Sequence, residues 1–119
     1  MGPKREKVND LEERTANFAR NTRQLMKLVP KTISNIEDLK QLARSSGSVP
    51  ANYIEANESL GKKDFLMRIK ICRKEAKESM LWLRLLGIEN VSADAKREAL
   101  LAEARELMNI FGSILRKSE

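Results

Sequence analysis

Apolar and small residues recur every three or four positions in four separate segments of this chain. This spacing places them on one face of an α-helix, and no segment alternates β-branched residues with period two. Pro30, Gly61 and Gly87 separate the segments. The predicted core positions are, in chain order, Leu11, Thr15, Phe18, Thr22, Leu25, Val29; Ile36, Leu39, Ala43, Ser46, Pro50, Tyr53; Phe65, Ile69, Cys72, Ala76, Ser79 or Met80, Leu83, Leu86; Leu101, Ala104, Met108, Phe111, Leu115. The sequence therefore predicts an all-α, up-down-up-down four-helix bundle.

The boundaries of the four helices follow from capping residues. Asn9 or Asp10 is the predicted cap of the first helix, so residues 1–8 are expected to form an N-terminal tail of a single domain over 1–119. The second helix is expected to begin at Thr32 or Ser34 and to continue, bent, through Pro50, because its apolar phase is unbroken there. Gly87 is expected to end the third helix as a C′ residue.

The chain contains no histidine and a single cysteine. The absence of histidine removes serine and cysteine triads and histidine-ligated zinc, so we expect no enzymatic activity, no bound metal and no cofactor. Cys72 is either a thiol activated by neighbouring cations or a small packed residue, and its core phase favours packing. Because no apolar run is long enough to span a membrane and no signal segment is visible, we expect a cytoplasmic protein without membrane contact.

Positive charge is concentrated in the first and third predicted helices of a chain whose formal net charge is +6. These two helices run in the same direction in the predicted topology, so their cations should lie at one end of the bundle. Two interpretations are open, a solvated face or a phosphate-binding surface. The candidate nucleic-acid-binding residues are Arg20, Arg23, Lys27, Lys70, Arg73, Lys74, Lys77 and Arg84.

The third predicted helix also carries a second apolar strip, about 140° away from Phe65 around the helix. One bundle core cannot bury both faces of this helix. The strip is either a set of scattered surface residues or a subunit interface, and its size favours the interface. Its members, which we call the apolar strip, are Met67, Ile71, Trp82 and Leu85.

The sequence S-V-P-A-N-Y-I-E at residues 48–55 is similar to the S-I-P-x-N-I-x-E signature of a bacterial four-helix-bundle family. Members of that family were first recognised as products of intervening sequences in large-subunit ribosomal RNA genes. K-K-D-F-L at 62–66 and L-R-L-L-G-I at 83–88 have matching spacings, so the resemblance covers about residues 10–117. Ala56 and the acidic second helix depart from the family pattern. The expected structural motif is Pro50, Ala51, Asn52 and Glu55.

The resemblance implies a homopentameric ring. One branch of the family serves as the accessory subunit of reverse transcriptases in diversity-generating retroelements and binds both nucleic acid and the polymerase. We therefore expect a non-enzymatic, basic, oligomeric bundle that binds structured RNA or an RNA–DNA hybrid through phosphates, with a reverse transcriptase as a further partner. The alternative is a protein-binding adaptor that uses the apolar strip, in which case the net charge serves solubility.

Overall fold

Four helices account for most of the chain in the computed structural model, which describes the backbone of residues 3–118 and the side chains of residues 10–118. They are α1 (Pro3–Met26), α2 (Ile33–Asn57), α3 (Lys62–Leu85) and α4 (Val91–Lys117). Each helix packs on the next along the chain and α4 returns to α1, so α1 lies diagonally opposite α3 and α2 diagonally opposite α4, with the Tyr53 and Phe111 rings 6.1 Å apart across the core. This cyclic order confirms the predicted all-α four-helix bundle, and no strand occurs between residues 3 and 118.

Both ends of α1 differ from the prediction. The helix begins at Pro3, where the fixed φ angle of proline suits the first helical position, and not at Asn9 or Asp10. Residues 3–8, expected as a tail, therefore continue the helix, and residues 1 and 2 lie outside the described residues. The helix ends at Met26, before Pro30, and the ammonium group of Lys31 donates to the Met26 carbonyl at 2.8 Å.

Helix α2 is continuous through Pro50, as predicted, and Thr32 is its N-cap. The Thr32 hydroxyl accepts a hydrogen bond from the Asn35 amide at 3.2 Å. The predicted core phase of α2 is wrong by one position at several points. Leu42, Ser45 and Val49 are fully buried, whereas Ile36 is exposed and Ala43 and Pro50 are only partly buried.

The corrected phase has a physical reason, because α2 packs between α1 and α3 and must present a wide buried face. On the side facing α3, the Ser45 and Ser79 hydroxyls lie 2.8 Å apart and satisfy each other in the core. The predicted core phase of α4 is also incomplete, because Leu100 and Leu107 are buried although the predicted stripe omitted them.

The remaining predicted core positions are largely confirmed. Phe18 and Leu25 on α1 and Ile69 and Leu83 on α3 are almost completely buried. Cys72 is also fully buried, and desolvation raises the pKa of its thiol to about 12. The packed interpretation of this cysteine is therefore confirmed, since a thiol with that pKa carries almost no thiolate at neutral pH.

Helix α3 ends by a mechanism that differs from the predicted one. Gly87 does not adopt the left-handed conformation, and the preceding Leu86 is extended with φ −63° and ψ 132°. The Arg97 guanidinium of α4 instead donates to the carbonyls of Leu83 at 3.0 Å and Leu86 at 2.7 Å. Because these terminal carbonyls are already satisfied, a glycine cap is not needed.

Asn35 joins the α1–α2 and α3–α4 loops, which lie at the same end of the bundle. Its side-chain amide donates to the carbonyls of Pro30 and Gly87, both at 3.0 Å. Its side-chain carbonyl accepts from the Gly87 amide at 2.9 Å, and the residue is 2% exposed. One buried side chain thus satisfies three backbone groups from two loops that are distant in sequence.

We expect Asn35→Ala to lower the free energy of unfolding by about 2–4 kcal/mol, because three hydrogen bonds of a buried group are lost. Urea unfolding followed by circular dichroism measures this change. Asn57→Ala is the control, since Asn57 is exposed and its hydrogen bond to Glu12 spans 3.4 Å. The control should change stability by less than about 0.5 kcal/mol, and equal losses in the two variants would contradict the role given to Asn35.

Candidate nucleic-acid interface

Four cations of α3, Lys70, Arg73, Lys77 and Arg84, form a basic strip along one side of the helix, and all four are exposed. At about 100° per residue they fall within about 60° of one another around the helix axis. Arg73 shows which groove they border, because its Nε lies 3.9 Å from the position that a Cβ would occupy on Gly112 of α4. The basic strip therefore lies on the outer side of α3 that borders α4, with Arg73 reaching the α3–α4 groove.

None of these four cations makes an ion pair with a carboxylate within residues 10–118. Lys74, the fifth predicted cation on α3, differs because its ammonium lies 4.0 Å from a Glu78 oxygen. Helical periodicity also places Lys74 about 100° away from Arg73, on the outward side of α3. Lys74 is thus a paired cation at the margin of the basic strip, where it lines a shallow groove together with Lys70.

Two arginines of α4 extend the basic surface, and the sequence analysis did not identify them. Arg116 Nη1 lies 3.3 Å from the same Cβ position on Gly112. Arg105 is exposed and lies seven residues before Gly112, which is about two turns along the same side of the helix. The spacing of Arg105, Gly112 and Arg116 is visible in the sequence, but the acidic residues elsewhere on α4 conceal it when charge is summed over the segment.

The predicted cations of α1 lie elsewhere. Arg23 sits in the groove between α1 and α2, where it donates to the carbonyls of Ala19 at 3.1 Å and Ala43 at 3.3 Å. Its guanidinium lies over Gly47, whose missing Cβ would be 3.0 Å from Arg23 Nη2. Arg20 and Lys27 are exposed, and Arg20 donates to the Asn17 side chain. Arg23 is therefore engaged in helix packing, unlike the cations of the basic strip.

The two groups of cations lie at the same level of the bundle but on opposite sides. Arg23 contacts Ser46 on α2, and the neighbouring Ser45 pairs with Ser79 on α3, so the expected alignment along the axis is found. In the cyclic helix order, however, the α1–α2 groove is opposite the α3–α4 groove. Parallel helices of this topology are diagonal neighbours, so one protomer does not present both groups on one surface.

The α2–α3 and α1–α4 grooves carry negative charge or paired charge. Between α2 and α3, Arg44 lies 3.5 Å from Glu75 and 3.3 Å from Glu78, and the Oε1 atom of Glu75 is buried without a partner. Between α1 and α4 runs a groove of about 740 Å³, where Arg14 donates to Glu103 at 2.7 Å and Asp10 and Glu13 also line the wall. The α3–α4 groove is therefore the side best suited to an anionic ligand.

The four residues of the apolar strip differ in exposure in the structure. Met67 and Leu85 are 55% and 54% exposed, and Ile71 is half-buried beside Met67 in a shallow groove. Trp82 instead packs against the core, and its indole Nε1 is buried without a hydrogen-bond partner. The expectation that Trp82 lies away from the monomer core is therefore wrong, because its side chain is half-buried and packs against core residues.

Within the expected structural motif, Asn52 has the clearest contacts. Its amide donates to the carbonyl and the hydroxyl of Ser48, both at 2.9 Å, next to Pro50. Its side-chain oxygen accepts from Arg68 of α3 at 3.0 Å, which ties the proline-containing turn to the neighbouring helix. Ala51 and Glu55 are exposed.

The described residues show neither a membrane-spanning helix nor a metal-binding cluster. Among the described helices, none is long and apolar enough to cross a bilayer. Residues 10–118 contain no group of three or more cysteine and carboxylate side chains arranged to hold a metal ion.

Comparison with known proteins agrees with this fold. A structure similar to this chain is a protein of unknown function from the S23 ribosomal protein family of Bacteroides thetaiotaomicron, with 26% sequence identity and a TM-score of 0.76. The similarity covers 88% of this chain and 97% of the other. No curated protein matches the chain. Residues 8–113 match the family model described as 23S rRNA-intervening sequence protein, so the chain belongs to that family.

Proposed function

We propose that this protein binds structured RNA or an RNA–DNA hybrid through backbone phosphates, with the α3–α4 groove as its binding face. The observation that carries the proposal is the basic strip of Lys70, Arg73, Lys77 and Arg84, which is exposed and makes no ion pair within the described residues. The family name, which refers to 23S rRNA, supports RNA as the nucleic acid.

The side chains along the groove favour phosphate contacts over base recognition. Lys70 and Arg84 are separated by about 21 Å along the helix axis, a distance that spans several phosphates of a nucleic-acid strand. All five aromatic residues of the chain are buried or half-buried, with Phe18, Tyr53 and Phe111 inside the core. Without exposed rings on which bases can stack, affinity comes from charge and discrimination among sequences is low.

Binding should therefore depend steeply on salt and weakly on sequence. If the four cations of the basic strip each neutralise one phosphate, the logarithm of the affinity should fall with the logarithm of the salt concentration at a slope of about −3 to −4 for one protomer. Fluorescence anisotropy with two hairpin RNAs of equal stem length and unrelated sequence measures both properties. No binding at about 50 mM salt and micromolar protein would show that the cations are simply solvated.

Assembly into a homopentameric ring, with α2 bent at Pro50, is the second part of the proposal. It rests on the family resemblance and on the exposed apolar side chains of Met67 and Leu85. Such a ring would repeat the basic strip around its symmetry axis and multiply the phosphate contacts.

Sedimentation at micromolar concentration should therefore show a homo-oligomer of the 13.6 kDa chain. Met67→Glu with Leu85→Glu should dissociate it, since charge at a buried apolar contact is costly, while helicity is retained because neither side chain belongs to the core. Leu60→Glu is the control, because Leu60 is fully exposed in the α2–α3 loop. A monomeric unmodified protein would refute the assembly.

The same exposed residues favour a second candidate function, a protein-binding adaptor. In that case Met67 and Leu85 dock a different protein, and reversal of charge in the basic strip has no effect on function. Association with a reverse transcriptase stays a prediction from the family resemblance, and co-purification of the two proteins from cells expressing both would test it.

A further inference from the structure

We propose that Arg73 and Arg116 form a clamp for a single phosphate group above Gly112. For its RNA ligand the clamp depends on the proposed function, and it names one phosphate-contact point within that face. The two arginines come from different helices, yet Arg116 Nη1 and Arg73 Nε lie 3.3 Å and 3.9 Å from one point, the Cβ position of Gly112. Their guanidinium nitrogens are therefore no farther apart than the sum of these distances.

Two cations held this close repel each other unless an anion lies between them. Within residues 10–118, neither Arg73 nor Arg116 makes an ion pair with a carboxylate. A guanidinium group offers several planar donors, and two such groups facing one site match the oxygens of a phosphate. The chemistry of the pair thus points to a phosphate oxyanion, either free or in a nucleic-acid backbone.

Gly112 has a role in this arrangement. Glycine is unfavourable inside a helix, and Gly112 lies within α4 with a negative φ, so backbone conformation does not require it. Its effect is space, because any Cβ would press against the Arg116 guanidinium at 3.3 Å. The glycine is buried, which shows that neighbouring groups cover it.

The dipole of α4 explains the position of Arg116 but not that of Arg73. Arg116 lies in the last turn of α4, where a cation is favourable near the exposed carbonyls. Arg73 belongs to the middle of α3 and gains nothing from that terminus. Glu119 lies outside the described residues, and a Glu119→Gln variant determines how far its carboxylate competes for the pair.

The decisive variant is Gly112→Leu, because it fills the space beneath both guanidinium groups and leaves the net charge unchanged. It should weaken binding of a hairpin RNA by about tenfold in anisotropy titrations, since the paired donors can no longer converge. Circular dichroism should show retained helicity, because leucine favours the helical conformation more than glycine does. Arg73→Lys with Arg116→Lys, which also keeps the charge, should give a similar loss.

Two double variants that remove equal positive charge distinguish the clamp from general electrostatic attraction of RNA. Arg73→Gln with Arg116→Gln should weaken RNA binding more than Arg20→Gln with Lys27→Gln, which removes the same charge from exposed positions away from the groove. Equal losses in the two double variants, together with unchanged affinity in Gly112→Leu, would overturn the clamp while leaving RNA binding intact. If Gly112→Leu does not fold, the lysine double variant decides.

Inorganic phosphate distinguishes the free anion from the backbone and separates the clamp from the proposed function. In NMR spectra of the full chain, phosphate should shift the Gly112 amide in the unmodified protein and not in the lysine double variant. If hairpin RNA does not bind but this shift occurs, the proposed function fails and the clamp stands as a site for free phosphate. If neither RNA nor phosphate responds to these substitutions, the clamp is refuted.

Discussion

Replacement of Leu83 by alanine is expected to lower the free energy of unfolding by about 3–5 kcal/mol. Leu83 is completely buried in the core cluster, where α3 packs against both of its neighbours. Truncation removes apolar contacts and leaves a cavity that rigid helices cannot fill by moving. Urea unfolding of the two proteins, with equal slopes in denaturant, measures the loss.

Leu81→Ala is the matched control, because the same side chain is removed from the same helix two residues earlier. Leu81 is 44% exposed, so its removal should cost less than about 1 kcal/mol. A large difference between the two variants would establish the bundle core at Leu83. Similar costs would mean that Leu83 is not buried as described, or that Leu81 is covered by another subunit in solution.

Periodicity predicted the four helices because each must bury one face, and this requirement acts over whole helices. Pro50 illustrates the strength of that signal, since the unbroken phase on both sides of it correctly predicted one continuous helix. The detailed phase of α2 could not be obtained in this way. Ala43, Ser45 and Ser46 are all small and give little hydrophobic contrast, so which of them is buried depends on the side that faces α3.

Contacts between segments that are distant along the chain could not be predicted from the sequence. Asn35 carries no hydrophobic signature that would mark it as important, yet it bonds to two loops at the same end of the bundle. Gly87 was assigned a conformational role because glycine is common after helices, whereas Arg97, ten residues later, satisfies the carbonyls at that helix end. Neither contact could be predicted, because a backbone group can be satisfied by any donor or acceptor that the fold brings near.

The candidate site was likewise predictable where the signal lies within one helix, and not where it depends on how the helices pack. Angular arithmetic on α3 correctly grouped Lys70, Arg73, Lys77 and Arg84 on one side, because that arithmetic depends only on the helix itself. It could not show that α4 adds Arg116 to the same surface. Nor could it show that α1 places its cations on the opposite side, which follows from the packing order of the helices.

Reversal of charge in the basic strip should have the largest effect on function. Arg73→Glu with Lys77→Glu is expected to weaken binding of hairpin RNA by about 100-fold or more at moderate salt, because two attractive phosphate contacts become repulsive. Anisotropy titrations measure the affinity, and sedimentation checks that assembly is unchanged. The sequence analysis predicts the same consequence for the cations of α1.

Arg20→Glu with Lys27→Glu is therefore the informative control, since it lowers the formal net charge of +6 by the same four units. Both residues are exposed, Arg20 on α1 and Lys27 directly after its end, and both lie away from the α3–α4 groove, so local phosphate contacts predict a much smaller loss than for the α3 variant. Equal losses would mean that RNA responds to the net charge of the whole protein, or that assembly brings α1 of one subunit beside α3 of another. Unchanged binding in both variants would exclude the basic strip as the RNA-binding face and favour the adaptor function, in which only the apolar side chains matter.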